Sequence, residues 1–192
     1  MKFEFDTDSD RYHTCSFTGY RPSKLSFNFN RNDEAYCRLY NVLKKEIMLL
    51  AENEIKYFQT GMALGIDLMC GEIVLELKKD FDIHLFCIIP CKNQCQGWSN
   101  NNIALYNNLI NNSSGIIYTS TEDYSKGCMM KRNKYLVDTA EHILAVYDGK
   151  RGGTMSTIEY AKKNKRTITI INPTNYTKIE LIHGSDEGAY YV

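Results

Sequence analysis

Short apolar runs alternate with amphipathic segments along most of this chain, and this alternation limits the fold more than any other feature. Six runs have the composition of buried strands, and the stretches between them repeat apolar residues at helical spacing. The strands are predicted at 12–19, 55–60, 83–89, 115–119, 143–147 and 167–171. The helices are predicted at 36–50, 66–77, 103–110, 129–139 and 154–163.

Continuous apolar strands that each precede a helix predict a parallel sheet, covered on both faces and joined by right-handed crossovers. The expected fold class is α/β, a Rossmann-like three-layer sandwich with a mostly parallel sheet flanked by helices. The length of 192 residues predicts one domain, with a core over about 12–173 and a C-terminal tail over 174–192. The run at 167–171 is then the last strand. In such sheets ligands bind at the carboxyl ends of the strands, near the point where the strand order reverses.

The charges balance, because Lys plus Arg and Asp plus Glu each total 23. A neutral chain predicts no general nucleic-acid binding and no attraction to a membrane, so any anion site must be local. The N-terminus lacks the apolar core of a signal peptide, and no apolar run is long enough to span a bilayer, which predicts a cytoplasmic protein. Seven cysteines, an odd number mostly within apolar segments, indicate reduced thiols.

A metal site is the alternative for one group of these cysteines. Cys87, Cys91 and Cys95 lie close together in sequence, with His84 nearby. However, Cys87 and His84 belong to a predicted strand, and no paired Cys-x-x-Cys knuckle is present, so buried thiols are favoured. We therefore expect no metal and no cofactor.

Two turns between a strand and a helix carry glycine. After the first strand, Gly19 permits a close backbone approach and Arg21 offers a planar fork suited to phosphate oxygens. The alternative is a tight turn with a solvent-exposed arginine. After the second strand, Gly61 and Gly65 precede a helix whose free N–H groups form an anion site. Asp67 either belongs to that site or only complements the helix dipole.

The third such turn gives the strongest signal, since it follows the most hydrophobic strand and places paired glycines against a helix N-terminus. Its candidate ligand-binding residues are Asp148, Gly152, Gly153 and Thr154. The turn has neither the Walker pattern nor the dinucleotide-binding glycine spacing. Glu159 lies farther along the helix, where it is either functional or the partner of Ser156 in a capping box.

Five motifs in this order resemble the YpsA-like family, a branch of the SLOG superfamily. They are Gly19-Tyr20-Arg21-Pro22, Gly61-x-x-x-Gly65-Ile66-Asp67, Pro90-Cys91-x-x-Gln94-x-x-x-Trp98, Cys128-Met129-x-x-Arg132-Asn133-x-x-x-Val137-Asp138 and Tyr147-Asp148-Gly149-x-x-Gly152-Gly153-Thr154. The resemblance implies a Rossmann-like fold that binds nucleotides or nucleotide-derived small molecules. It adds Arg132 and Asn133 to the candidate site, although an exposed helical arginine is the alternative for Arg132.

The superfamily also includes the cytokinin-activating phosphoribohydrolases, whose motif is Gly-Gly-x-Gly-Thr-x-x-Glu. Here Met155 replaces the second-glycine position and Ser156 the threonine, and Asn133 stands where those enzymes carry lysine. Resemblance to the DNA-processing protein A family is confined mostly to the turn at 65–67, and the chain lacks the basic stripe that strand binding favours.

The main functional hypothesis is binding of a nucleotide or nucleotide derivative, as in a sensor. The alternative is a nucleoside 5'-monophosphate phosphoribohydrolase-like N-glycosidase. In that enzyme Arg132 and the amides at 152–154 hold the phosphate, while Glu159 orients water or stabilises an oxocarbenium-like ribose. A second alternative is a partner-binding scaffold with a vestigial pocket. Whether the chain forms a homo-oligomer is left open.

Overall fold

The computed structural model describes residues 9–182 and the backbone of residues 190–191. Its strands form one sheet in the order β4-β3-β2-β1-β5-β6-β7-β8. They are β1 (Thr14–Thr18), β2 (Tyr57–Thr60), β3 (His84–Ile89), β4 (Gly115–Tyr118), β5 (His142–Val146), β6 (Thr167–Ile171), β7 (Lys178–Leu181) and β8 (Tyr190–Tyr191). Strands β1 to β6 are parallel to one another, which confirms the mostly parallel sheet.

Helices cover both faces of this sheet, as the sequence predicted. They are α1 (Glu34–Glu52), α2 (Ile66–Leu77), α3 (Asn100–Asn112), α4 (Cys128–Asp138) and α5 (Gly153–Lys163). One face packs against α1, α2 and α3, and the other packs against α4 and α5. Alternate residues of a strand therefore enter different cores: Leu144 joins the first, whereas Ile143 and Ala145 join the second. This is the Rossmann-like three-layer sandwich that the alternation predicted.

The strand order reverses between β1 and β5. Strands β2, β3 and β4 follow β1 outward on one side, and the chain then returns to place β5 on the other side of β1. The register pairs Phe17 with Leu144 and Thr18 with Ala145, so the two strands end at the same edge. A ligand-binding crevice is expected at this edge, where the strand order reverses.

The prediction that 167–171 is the last strand is wrong. Lys178–Leu181 pairs antiparallel with β6, and Tyr190–Tyr191 pairs antiparallel with β7. Part of the segment predicted as a tail therefore extends the sheet, whereas residues 183–189 and 192 lie outside the described residues. The signal was weak because β7 alternates charged and apolar residues, and Lys178 forms ion pairs with Glu46 and Glu180.

Within the part of the chain that the structure describes, no helix is long and apolar enough to cross a membrane.

Candidate functional site

A cavity of about 280 Å³ opens at the edge of the sheet where β1 and β5 end. It is lined by Phe17, Thr18, Gly19, Tyr20, Arg21, Ser23, Lys24, Ala63, Asp67, Met129, Arg132, Asn133, Gly153 and Thr154. Three of the lining residues are positively charged: Arg21, Lys24 and Arg132. Asp67 is the carboxylate among the lining residues. We call this space the cationic cavity, since its net charge favours an anion.

A buried ion pair forms one side of the cationic cavity. Arg132 is only 4% exposed, and its Nη1 lies 3.1 Å from Oδ2 of Asp67, which also accepts a hydrogen bond from the Ala63 amide. Burial raises the pKa of Asp67, against the opposing effect of Arg132. Burial likewise lowers the pKa of Arg132, but a guanidinium remains protonated in proteins. The alternative of an exposed helical arginine is therefore wrong.

The pair leaves Arg132 with unused donor capacity. Only Nη1 reaches Asp67, and Nε has no hydrogen-bond partner among the described residues. A buried charged group with unsatisfied donors is costly, and an anion in the adjoining cavity would offset part of that cost. Because Arg132 lines the cavity, an anion bound there would lie next to the guanidinium.

Gly61 makes room for this guanidinium. A Cβ atom added at Gly61 would lie 1.3 Å from Nη1 of Arg132, which no side chain can occupy together with the arginine. The carbonyl groups of Gly61 and Met62 accept hydrogen bonds from Nε2 of Gln94, at 3.3 and 2.8 Å. This turn thus positions the ion pair. The motif at 61–67 and the motif at 128–138, which are far apart in sequence, meet in the contact between Asp67 and Arg132.

Gly65 also has a positioning role in the structure. Its φ is +104°, and an added Cβ would lie 2.4 Å from the carbonyl oxygen of Tyr20. The amide of Ile66 donates to that same oxygen at 3.2 Å, which joins the start of α2 to the loop after β1. Gly61 and Gly65 do not line the cationic cavity. The structure therefore gives them a role in positioning other residues of the site.

The N-terminus of α5 contributes backbone donors to the lining of the cavity. Gly152 caps the helix with φ 154° and ψ −168°, a conformation essentially confined to glycine. Gly153 and Thr154 follow as the first helical residues and line the cavity. The first N–H groups of a helix have no intrahelical partner, and the helix dipole favours negative charge at this end. This wall suits a phosphate group.

The capping-box alternative for Ser156 and Glu159 is wrong, because α5 begins three residues before Ser156. The Ser156 amide already donates to the Gly152 carbonyl at 3.1 Å, as does the Ser156 hydroxyl at 3.4 Å. Glu159 is exposed and does not line the cationic cavity. The geometry therefore gives Glu159 neither the capping contact nor a position beside a bound ribose.

Asp148 does not line the cavity but is hydrogen-bonded to Tyr20, which does. Its Oδ1 accepts a hydrogen bond from Tyr20 at 2.5 Å, and its Oδ2 lies 2.6 Å from Nζ of Lys150. Burial works against its ionisation, but the hydrogen bonds from Lys150 and Tyr20 outweigh this and lower the pKa of Asp148. Asp148 thus fixes the Tyr20 ring against the cavity.

Sequence reasoning did not select Tyr20 and Lys24, which line the cavity. Tyr20 is 2% exposed and contributes its ring to the wall. Nζ of Lys24 lies 5.3 Å from the centre of that ring and donates to the Arg151 carbonyl at 2.9 Å. Lys24 lies in the same loop as Arg21, so a second cation in that turn was the available signal.

The structure brings together most of the predicted ligand-binding residues. Those that line the cationic cavity are Gly19, Arg21, Asp67, Arg132, Asn133, Gly153 and Thr154. The side-chain nitrogen of Asn133 donates to the Thr157 hydroxyl at 3.0 Å, so Asn133 also connects α4 to α5. Gly152 lies next to the cavity and shapes it through its backbone.

All seven cysteines are free thiols, five of them buried. Within the described ranges, no group of three or more His, Cys, Asp or Glu side chains could hold a metal ion. Absence of a bound metal from the protein remains a prediction, which elemental analysis can test.

Comparison with known proteins decides the family. The family model YpsA, described as the YspA SLOG family, matches residues 15–176. This chain belongs to the YpsA SLOG family. An SPbeta prophage-derived protein, YoqJ of Bacillus subtilis strain 168, is 33% identical in an alignment of 130 residues that covers 62% of this chain and 75% of YoqJ. A UPF0398 protein of Bacillus thuringiensis strain Al Hakam is 24% identical over 153 residues, 79% of this chain and 83% of that protein.

Two solved structures share the fold. DNA processing protein A from Helicobacter pylori has a TM-score of 0.57 and 18% identity, over 84% of this chain and 69% of that one. DNA processing protein A from Streptococcus pneumoniae has a TM-score of 0.60 and 16% identity, over 85% of this chain. The aligned part spans 52% of the pneumococcal chain, about half its length. At these identities the likeness establishes the fold.

This comparison corrects the expectation of no general nucleic-acid binding. The Helicobacter pylori protein, which has this fold, has a single-stranded DNA binding mode. The expectation is wrong because it used net charge, whereas binding depends on where the charges lie. A neutral chain can concentrate positive charge locally, as the cationic cavity does with Arg21, Lys24 and Arg132.

Proposed function

We propose that the cationic cavity binds the phosphate of a nucleotide or nucleotide-derived small molecule. The observation that carries the proposal is the buried guanidinium of Arg132, which lines the cavity and donates one hydrogen bond, to Asp67, among the described residues. Arg21 and Lys24 add charge, and the N-terminus of α5 adds backbone donors to the same lining. The position at the reversal of strand order, together with membership of the SLOG family, supports a nucleotide as the source of the phosphate.

Binding without turnover fits this cavity better than base release. A glycosidase needs a carboxylate next to the ribose, either as a base or as a charge stabiliser. Among the described residues that line the cavity, Asp67 is the one carboxylate, and it is bound to Arg132. Glu159 lies on the exposed side of α5. We therefore expect no free base when nucleoside monophosphates are incubated with the protein and separated by chromatography.

The three cations that line the cavity suit a phosphate of a small nucleotide and a phosphate of a nucleic-acid strand alike. A thermal-shift panel of nucleoside mono- and diphosphates, ADP-ribose and a short single-stranded oligonucleotide tests both. Stabilisation by small nucleotides supports the proposal. Stabilisation by the oligonucleotide alone would replace it with strand binding, and no response to any member would leave the scaffold alternative.

Gly153→Val tests the phosphate-binding wall directly. A Cβ added at Gly153 meets no atom within 4 Å, so the valine can enter the cavity without a clash in the protein. We expect affinity for the best nucleotide in the panel to fall at least about tenfold, which is roughly 1.4 kcal/mol. The free energy of unfolding should change by less than about 1 kcal/mol, since glycine is itself a poor helix former.

Glu159→Gln is the matched control for Gly153→Val, because Glu159 lies on the same helix, exposed and away from the cavity. Glu159→Gln should bind as tightly as the parent protein when each protein is titrated by calorimetry with the best nucleotide of the panel. Parent-like affinity in Gly153→Val would show that the α5 N-terminus does not hold the phosphate.

A further inference from the structure

A second cavity, of about 390 Å³, opens between α4 and α5. We call it the interhelix cleft. Met129, Asn133 and Gly153 line both this cleft and the cationic cavity, so the two spaces adjoin. A ligand whose phosphate binds at Gly153 would therefore lie beside the cleft.

The surface of the cleft is mainly apolar and includes two thioethers and an aromatic ring. Met129 and Met130 contribute from α4, and Met130 is 62% exposed. Tyr160 contributes from α5, where its hydroxyl donates to Asp138 at 2.9 Å and so ties its ring to α4. Methionine sulfur is polarisable and packs well against aromatic rings. An exposed apolar surface next to a charged cavity suits a ligand with one anionic and one flat, apolar end.

One polar group lies where the two spaces meet. The nitrogen of the Asn133 side chain donates to Thr157, and the side-chain oxygen accepts no hydrogen bond from the described residues. That oxygen can accept from a ring N–H, an exocyclic amine or a ribose hydroxyl. An aliphatic chain has no donor to offer it, so a nucleoside fits this position better than a lipid tail.

We propose that the interhelix cleft holds the base of the nucleotide, with Met129, Met130 and Tyr160 against the ring and Asn133 at its polar edge. The inference rests on the proposed function, because the phosphate in the cationic cavity sets the direction of the ligand. The base then contributes affinity that the phosphate and ribose alone do not supply.

The test compares AMP, GMP, CMP and UMP with ribose 5-phosphate by calorimetry. We expect the tightest of the four nucleotides to bind about 5- to 150-fold more tightly than ribose 5-phosphate, the range given by stacking of one base on aromatic side chains. Ser156 lines the cleft and not the cationic cavity. Ser156→Trp should therefore fill the cleft and reduce nucleotide affinity to that of ribose 5-phosphate, while ribose 5-phosphate binds as before.

Glu159→Trp is the control, since it adds the same ring to the same helix away from both spaces. Circular dichroism and thermal unfolding establish that both variants fold. Equal affinity for ribose 5-phosphate and all four nucleotides, or no effect of Ser156→Trp, would overturn the base site while leaving the phosphate site intact. Octyl phosphate binding as tightly as the best nucleotide would also overturn it, in favour of an aliphatic ligand. Failure of every phosphate compound to bind would remove the proposed function and this inference together.

Discussion

Gly61→Ala is expected to abolish nucleotide binding and to lower the free energy of unfolding by about 3–5 kcal/mol, the cost of breaking a buried ion pair. The new Cβ would lie 1.3 Å from Nη1 and 2.3 Å from Cζ of Arg132, so the guanidinium must leave its place. Asp67 then stays buried without its partner, and the cavity loses its buried cation. One methyl group thus removes both the charge balance of the core and the proposed phosphate contact.

Urea unfolding and calorimetric titration with the best nucleotide measure the two effects. Gly153→Ala is the control for stability, because its added Cβ meets no atom within 4 Å. Its free energy of unfolding should stay within about 1 kcal/mol of the parent value. A Gly61→Ala protein that is as stable as the parent would show that the guanidinium of Arg132 does not lie against Gly61 in solution.

Elements with a continuous apolar signal could be predicted from the sequence to within a few residues. The strand at 167–171 agrees with β6, and the helix at 154–163 begins one residue after the start of α5. Buried parallel strands produce such runs because both of their faces enter a core. Strand β7 gave no run, since each of its residues is only partly buried and the strand includes the paired residues Lys178 and Glu180.

The candidate site could be predicted only in part, because its residues come from segments that are far apart in the sequence. Glycine-bearing turns at strand ends located Gly19, Gly153 and Thr154 in the cavity wall, since the carboxyl ends of parallel strands share one edge. The contact between Asp67 and Arg132 spans 65 positions, and no local spacing encodes it.

Local spacing also misled at the start of α5. Ser156 and Glu159 have the sequence pattern of a capping box, but the helix begins at Gly153 because Gly152 adopts a backbone conformation that ends the preceding loop. A spacing pattern states which contact is compatible with a helix start, not where the helix starts. The exact start of α5 does not change the argument for Gly152 and Gly153, because both lack a side chain wherever the helix begins.

A charge-removal cycle on Asp67 and Arg132 separates the ion pair from its surroundings. Arg132→Met should lower the free energy of unfolding by about 3–5 kcal/mol at pH 7, because it leaves a buried carboxylate without a partner. Asp67→Asn should also destabilise, since it leaves the guanidinium buried and uncompensated. The double variant Asp67→Asn/Arg132→Met has neither charge, and we expect it to be more stable than Arg132→Met alone.

The pH dependence of Arg132→Met follows from the direction of the Asp67 shift. Burial already raises the pKa of Asp67 in the folded protein while Arg132 opposes it, so removing Arg132 must raise that pKa further. A carboxyl group with a raised folded pKa binds its proton more tightly in the folded state than in the unfolded state. Its favourable contribution is complete below the unfolded pKa, about 3.9, and is lost as pH rises through the folded pKa.

Arg132→Met should therefore be closest to the parent in stability near pH 4 and fall progressively behind it toward pH 8, as followed by urea unfolding at each pH. The double variant has no carboxylate at position 67, so the difference between it and the parent should not grow in this way. Nucleotide binding should be weak in both, because both lack the guanidinium of Arg132. Recovery of stability without recovery of binding would assign two separate roles to Arg132, charge balance for Asp67 and a contact for the phosphate. If the effects of the two single variants simply add in the double variant, the two residues do not interact, and the buried pair cannot be what holds Arg132 at the cavity.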